Sequence, residues 1–333
     1  WRAVNSVIDM STAGRGIIGG GEDASGKIHR VDYVNIMSKG NSISFGTLTG
    51  SGGRKGPQTC SDGTRCLFAG GADGTPFSDI IDYNAIQSGG LFTDFGNLTD
   101  DQGWGAGGCS SSTRGLFSSW YPHSAVIDYV EIQTTGNALD FGDRSITVAG
   151  APTAVASTTR AVWGGGYTSG SPLPSVAQSY MDFVTISSKG NAVKFGDLTK
   201  KRGAMGGCSN SVRGVYGGGT DWEGSTYELQ VIDYITIAST GNATNFGELT
   251  YGRGFGGGTS TQIRGIFGGM RFAPAINNVL DYITIASTGN STDFGDLYLA
   301  TYSGGAMASQ IRGMFVGGAN HPGGIYQNIL QYV

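Results

Sequence analysis

Short runs in which every second residue is apolar recur along this chain, separated by clusters of Gly, Asn, Ser and Thr. The run from Val231 to Ala238 is representative: Ile232 and Tyr234 mark a period of two, and Thr240-Gly241-Asn242 follows. A period of two predicts a half-buried strand. Gly and Asn supply the positive φ that a tight hairpin needs, so the next run, Ala243 to Leu249, returns beside the first. Upstream, Gly203 to Asn210 and Arg213 to Gly218 read as two further strands, the first small and Gly-rich.

These four strands, a to d, form one unit of a repeat. An Arg followed by a small residue, apolar residues and usually Gly-Gly occurs at Arg15, Arg65, Arg114, Arg160, Arg213, Arg264 and Arg312. Subtraction gives spacings of 50, 49, 46, 53, 51 and 48 residues. An apolar-Asp-aromatic triplet follows, from Val31-Asp32-Tyr33 to Leu280-Asp281-Tyr282, and the seventh copy is Leu330-Gln331-Tyr332. A Phe-Gly pair closes six units, from Phe45-Gly46 to Phe294-Gly295. Four short antiparallel strands on a period near 50 predict an all-β, seven-bladed β-propeller. Blades are expected near 1–49, 50–99, 100–147, 148–199, 200–250, 251–298 and 299–333, with the last lacking its outer strand. Glycine in strand a suits close approach at the axis, so a is expected inside and d outside.

The Gly-Gly ending, the Tyr in the next strand, the aromatic in the fourth and the period resemble Kelch repeats over essentially the whole chain. Kelch repeats usually carry Trp in the last strand, where this chain has Phe. The phrasing of the units, as in Ile232-Asp-Tyr-Ile-Thr-Ile through Phe246-Gly247, also resembles predicted structural and tail proteins of marine bacteriophages.

Composition supports the β reading. Glycine accounts for 60 of 333 residues and charged residues for 14%, a poor mixture for helices. Aromatics at 11% suffice for a core. A net charge of −4 argues against a basic nucleic-acid surface, and no apolar run is long enough for a membrane-spanning helix. The chain opens at Trp1 with no charged-then-apolar leader, and is read as a processed chain or a piece of something longer.

Antiparallel order places the short, uniform a–b and c–d turns on one face. The long b–c loops and the d–a links, different in every blade, lie on the other. Variable loops on a rigid scaffold are where recognition is sought. Trp120, Tyr121, Trp222, Tyr227, Arg271 and Phe272 are the binding candidates there, with His123, Tyr167, Glu223, His321 and Tyr326 nearby. Exposed aromatics beside hydrogen-bonding groups suit sugar rings or protein anchors; the competing reading is that they pack over their own loops.

No catalytic constellation emerges. His29, His123 and His321 all fall in b–c loops, and no metal or cofactor is expected. Cys60, Cys109 and Cys208 share one slot five residues before the repeat Arg, a buried small-apolar position. Cys66 lies across the a–b hairpin from Cys60, leaving a disulfide open in an oxidising compartment. The repeated Arg and Asp are read as structural, because catalytic residues are not copied once per blade. The sequons at Asn97, Asn242 and Asn290 carry no functional reading, the last two following from the Gly-Asn turn. The expectation is a non-enzymatic structural and recognition module, virion or extracellular, a tail or fibre component. Its partners would be other structural subunits or a host-surface glycan or protein, with no nucleic acid and no membrane. The alternatives are a stand-alone lectin-like propeller and a glycan-cleaving one.

Overall fold

The computed structural model describes residues 14–50, 52–72, 77–103, 107–118, 124–147, 150–168, 176–221, 228–269, 277–320 and 325–333. Among them every regular element is a strand; the strands form seven antiparallel blades in chain order and two small hairpins in b–c loops, Glu22–Asp23 with Gly26–Lys27 and Tyr167–Thr168 with Val176–Ala177. In blade five, strand a is Gly206–Ser209, b Arg213–Gly217, c Val231–Thr236 and d Thr244–Glu248. Blades two to six have all four strands. Blade one shows b, c and d, its strand-a sequence lying outside the described residues. Blade seven has three strands: Gly305–Ala308, Gly313–Val316 and Leu330–Tyr332.

Strand a is innermost, as its composition predicts. Neighbouring a strands approach so closely that a Cβ on Gly258 would stand 2.5 Å from the Gly207 carbonyl oxygen. Their hydroxyls bond around the axis: Ser110 Oγ donates to Ser61 O at 2.8 Å, Ser209 Oγ to Ala156 O at 3.0 Å and Ser260 Oγ to Ser209 O at 2.8 Å.

The Phe-Gly pair is a β-bulge. In blade five Ile232 pairs with Gly247 and Asp233 with Asn245, so Phe246 is the extra residue. The bulge re-aims the ring into the core; Phe246 is 3% exposed and lies edge-on to Tyr234 at 5.9 Å. Gly247 has φ +153°, and a Cβ there would meet the Gly289 carbonyl oxygen of the next blade at 2.2 Å. Glycine is therefore required both by the backbone and by the neighbour.

Blades one to six join one another through the same polar parts. The strand-b Arg stacks on the strand-c aromatic, with Arg213 Cζ 4.4 Å from the Tyr234 centroid. Its Nη1 then donates to a carbonyl of the following blade, Ile285 O at 2.9 Å. The strand-c Asp accepts from the Thr that ends the previous blade: Thr199 N and Oγ1 reach Asp233 at 3.0 and 2.7 Å. The Gly-Asn turn closes on the previous strand d, where Asn242 Oδ1 accepts Asp197 N at 3.0 Å. The repeated charges are thus links between blades, satisfying backbone groups that burial would otherwise orphan.

The ring closes by packing. Ile18, Val34 and Ile36 of blade one form a buried cluster with Met307, Met314 and Val316 of blade seven. Arg312 Nη1 donates to Ile36 O at 3.3 Å, and Tyr326 Oη to Glu22 Oε2 at 2.7 Å.

Candidate functional site

The two faces differ in what the described residues display. On the a–b side a cavity of about 490 Å³ opens along the axis. Its wall carries Ser61, Ser110, Ser209 and Ser260 together with the thiols of Cys109 and Cys208. On blade one's side the described wall is strand b, from Arg15 to Ile17. Three of the serine hydroxyls are engaged with carbonyls of the neighbouring strand. Burial pushes the Cys109 and Cys208 thiols up to about 12, so neither is a nucleophile at neutral pH. Arg15 Nη1 donates to Ile86 O at 3.1 Å and to Gln87 O at 2.8 Å. The cavity is a recess of mixed polar and apolar lining, and three of its serine hydroxyls and Arg15 already have partners.

The hairpin tips around its mouth divide into two arcs. Blades two, three and four present Thr64, Thr113 and Thr159, whereas blades five, six and seven present Val212, Ile263 and Ile311, exposed by 55, 68 and 72%. The face that reads as uniform is therefore polar on one side and apolar on the other.

At the opposite end of the axis the backbone forms an arc of bonds across blades four to seven. Ala204 N donates to Ala151 O at 2.9 Å, Phe255 N to Ala204 O at 2.9 Å and Ser303 N to Phe255 O at 3.1 Å. All four residues hold positive φ, 41 to 57°, a conformation costly for residues with a Cβ. The inter-blade bonds hold them there, and none of these residues lines the cavity.

The six binding candidates, Trp120, Tyr121, Trp222, Tyr227, Arg271 and Phe272, lie outside the described residues, as do His123, Glu223 and His321. Two neighbours on the same face are described, and both bridge blades. Tyr167 is buried, and its hydroxyl donates to Thr220 O at 2.9 Å. Tyr326 holds Glu22, which also pairs with Lys55 at 2.5 Å; these two partners keep the Glu22 carboxyl below its ordinary range. These two rings anchor loops. Glu228, in the b–c loop of blade five, is pushed up by burial, with Asp221 adding to the effect.

Among the described residues no three His, Cys, Asp or Glu side chains gather as a metal set, and His29 is exposed. Cys60 and Cys66 are free thiols. The sheet separates them: Cys60 packs with Phe117 and Val130 of blade three, and Cys66 with Ile17 of blade one. Ser61, and not Cys60, is the partner of Cys66 across the hairpin, so a bond between the two thiols would have to pass through the blade.

A second set of arginines escaped the sequence reading. Arg54, Arg202 and Arg253 each stand eleven residues before a repeat Arg (65 − 54, 213 − 202, 264 − 253). Each forms a buried ion pair with the strand-c Asp of the same blade: Arg54–Asp82, Arg202–Asp233 at 2.9 Å, and Arg253–Asp281. That fixed interval was the available signal. Arg144, sixteen before Arg160, pairs with Asp182 at 2.9 Å from a different point on its link. The sequence matches no protein-family model, and no curated protein matches it.

Proposed function

We propose that this propeller is a non-enzymatic structural and recognition module of a virion tail, a fibre or another extracellular assembly. It engages a partner protein or a surface glycan through its b–c loops. One observation carries the reading: the repeated strand-b Arg and strand-c Asp of blades one to six link neighbouring blades, whereas residues with no repeat equivalent concentrate in loops of a single face. Resemblance of the repeats to Kelch units and to phage tail proteins agrees with it. A ring with one individual surface suits binding, because variable loops carried on a common scaffold are where recognition residues are found.

The test is binding by Trp120→Ala and Trp222→Ala proteins on a glycan array and to candidate assembly subunits. If these rings are hot spots, each substitution weakens binding by about 2 kcal/mol or more, and the far-UV spectrum stays unchanged. Binding that survives both substitutions but is lost on changing Ser209 and Ser260 would move the site to the axial cavity and overturn this reading.

A further inference from the structure

One point on the b–c face brings together three side chains that no other blade repeats. Glu22 stands seven residues after its repeat Arg (22 − 15), where blades two, four, five and seven have Ala72, Tyr167, Thr220 and Ala319. Lys55 stands ten residues before its own (65 − 55), where blades four to seven have Gly150, Gly203, Gly254 and Tyr302. Tyr326 faces Ala319 across its b–c loop, as Ala177 faces Tyr167 and Glu228 faces Thr220. The three come from blades one, two and seven, and they meet: Lys55 Nζ donates to Glu22 Oε2 at 2.5 Å, and Tyr326 Oη to the same oxygen at 2.7 Å.

Both donors are spent on one oxygen, and Glu22 Oε1 accepts no hydrogen bond among the described residues. The two bonds keep the carboxyl below its ordinary range, so it is ionised at neutral pH. The same carboxylate pushes the Tyr326 hydroxyl up, so it keeps its proton and goes on donating. The Tyr326 ring is thus pinned at its hydroxyl and yet 43% exposed, and Ile325, the residue before it, is 63% exposed. Tyr167 shows the contrast: it is pinned in the same manner, to Thr220 O at 2.9 Å, but buried. The Glu22 and Lys55 side chains are 24 and 39% exposed. Backbone bonds hold the chain at each of the three: Gly21 N to Arg54 O at 2.8 Å, Lys55 N to Ala72 O at 3.0 Å and Gln327 N to Gly318 O at 2.8 Å.

We propose, on the reading that the b–c loops are the recognition face, that Glu22, Lys55 and Tyr326 form a subsite for a neutral sugar. The Tyr326 ring is its stacking platform, and Glu22 Oε1 is the acceptor for a sugar hydroxyl. An exposed aromatic ring with a polar group at its edge matches a pyranose, which has an apolar C–H face rimmed by hydroxyls. The charges around the carboxylate select among the ligands that could reach it. A bare carboxylate would attract a guanidinium or an ammonium group, but Lys55 and Lys27 both act on Glu22 and repel a second cation. An anionic sugar would be repelled by the ionised oxygen. A neutral hydroxyl supplies what Oε1 lacks, a donor, and a charged acceptor strengthens that bond. Lys55 and Tyr326 hold the carboxylate in place for it.

The experiment applies the full chain, and its Glu22→Gln, Tyr326→Ala and Tyr326→Phe variants, to an array of neutral and sialylated oligosaccharides, with thermal unfolding of each protein. The unaltered chain retains neutral glycans in preference to sialylated ones. Glu22→Gln weakens the retention of neutral glycans about tenfold or more, because the charged acceptor is gone. It strengthens the retention of sialylated ones, because Lys55 and Lys27 are left unopposed. A folding defect would lower both, so the exchange of preference is specific to the site. Tyr326→Ala loses about tenfold or more with the platform, and Tyr326→Phe, which keeps the ring, loses less. If Glu22→Gln does not fold, the order of the two Tyr326 variants decides. Retention of no neutral glycan, equal retention by the unaltered and Tyr326→Ala chains, or capture of a protein subunit through Glu22 with no glycan retained overturns the proposal. Glycan retention that Trp120→Ala and Trp222→Ala abolish and Glu22→Gln leaves intact removes this subsite alone, and the b–c face keeps its function through blades three and five.

Discussion

Blades three and five share strands and register yet bury the same carboxylate in different company. In blade five, Asp233 meets the Arg202 guanidinium at 2.9 Å, and both side chains are fully buried. In blade three, Gln102 takes the arginine's place on the backbone: its carbonyl accepts Gly71 N at 2.7 Å, as that of Arg202 accepts Gly166 N at 2.9 Å. Gln102 Nε2 gives Asp128 one neutral bond of 2.8 Å, beside those from Thr99. Gln58 supports it, donating to Gln102 Oε1 at 2.6 Å and accepting Ser118 N at 2.8 Å. Without a cation, burial pushes Asp128 up to about 6 despite the Thr99 bonds. One repeat position therefore answers the cost of desolvating a carboxylate either with a guanidinium or with a proton.

The largest expected difference comes from removing the partner. Arg202→Met leaves Asp233 buried beside a side chain that cannot pair with it, at a cost of about 3–5 kcal/mol. Gln102→Met removes one neutral donor from a carboxyl that is mostly ionised at pH 7 and keeps its bonds from Thr99, at about 1.5–3 kcal/mol. Urea unfolding of the two variants at pH 7 checks the ranking. Equal losses would mean that the two blades treat their carboxylates alike.

The contrast also marks the limit of what the chain disclosed in advance. Blade number, strand order and the inner place of strand a were legible, because Arg15 and its six equivalents repeat on one period and period-two runs separate them. The reason for Phe-Gly was not: a bulge is a matter of register between strands, and only the pairing of Ile232 with Gly247 reveals it. The inner ion pairs were half legible. Asp233 stands in a fixed triplet, but its partner sits on a d–a link of varying length, where Gln102 and Arg144 fall out of step with Arg54, Arg202 and Arg253. The axial cavity was not legible at all, since its wall is assembled from a few residues of each blade. Tyr167 looked like a surface aromatic because its loop is unique, although its hydroxyl bridges to blade five.

Asp128 gives the ring a pH dependence of its own. Asp128 titrates near 6 in the fold, above the ordinary 3.8 of the free carboxyl. The folded state therefore holds more protons than the unfolded chain between about pH 4 and 6, and stability falls as pH rises through that window. The shift of roughly two units corresponds to on the order of 3 kcal/mol between pH 4 and 7. Asp128→Asn should flatten this component. Unfolding free energies at half-unit pH intervals check this. A wild-type slope unchanged in Asp128→Asn would remove blade three from the account.

Gln102→Arg would rebuild blade five's pair inside blade three, and its absolute effect mixes two contributions. The longer side chain must displace Gln58, whose amide now donates to Gln102 and supports the Ser118 N–H. That steric and hydrogen-bonding cost is the same at every pH, because neither Gln58 nor Ser118 ionises. The gain is not: a guanidinium beside Asp128 favours the carboxylate and draws its titration back toward the ordinary range. The change on substitution, measured at pH 8 and again at pH 5, therefore isolates the charge interaction by difference. Asp128 is mostly protonated at pH 5 and ionised at pH 8, so the variant should gain about 1.5 kcal/mol at pH 8 relative to pH 5, whichever sign its stability change has at either pH alone. A difference near zero would mean that the incoming guanidinium does not reach Asp128, and that Gln58, more than the missing cation, sets the character of this blade.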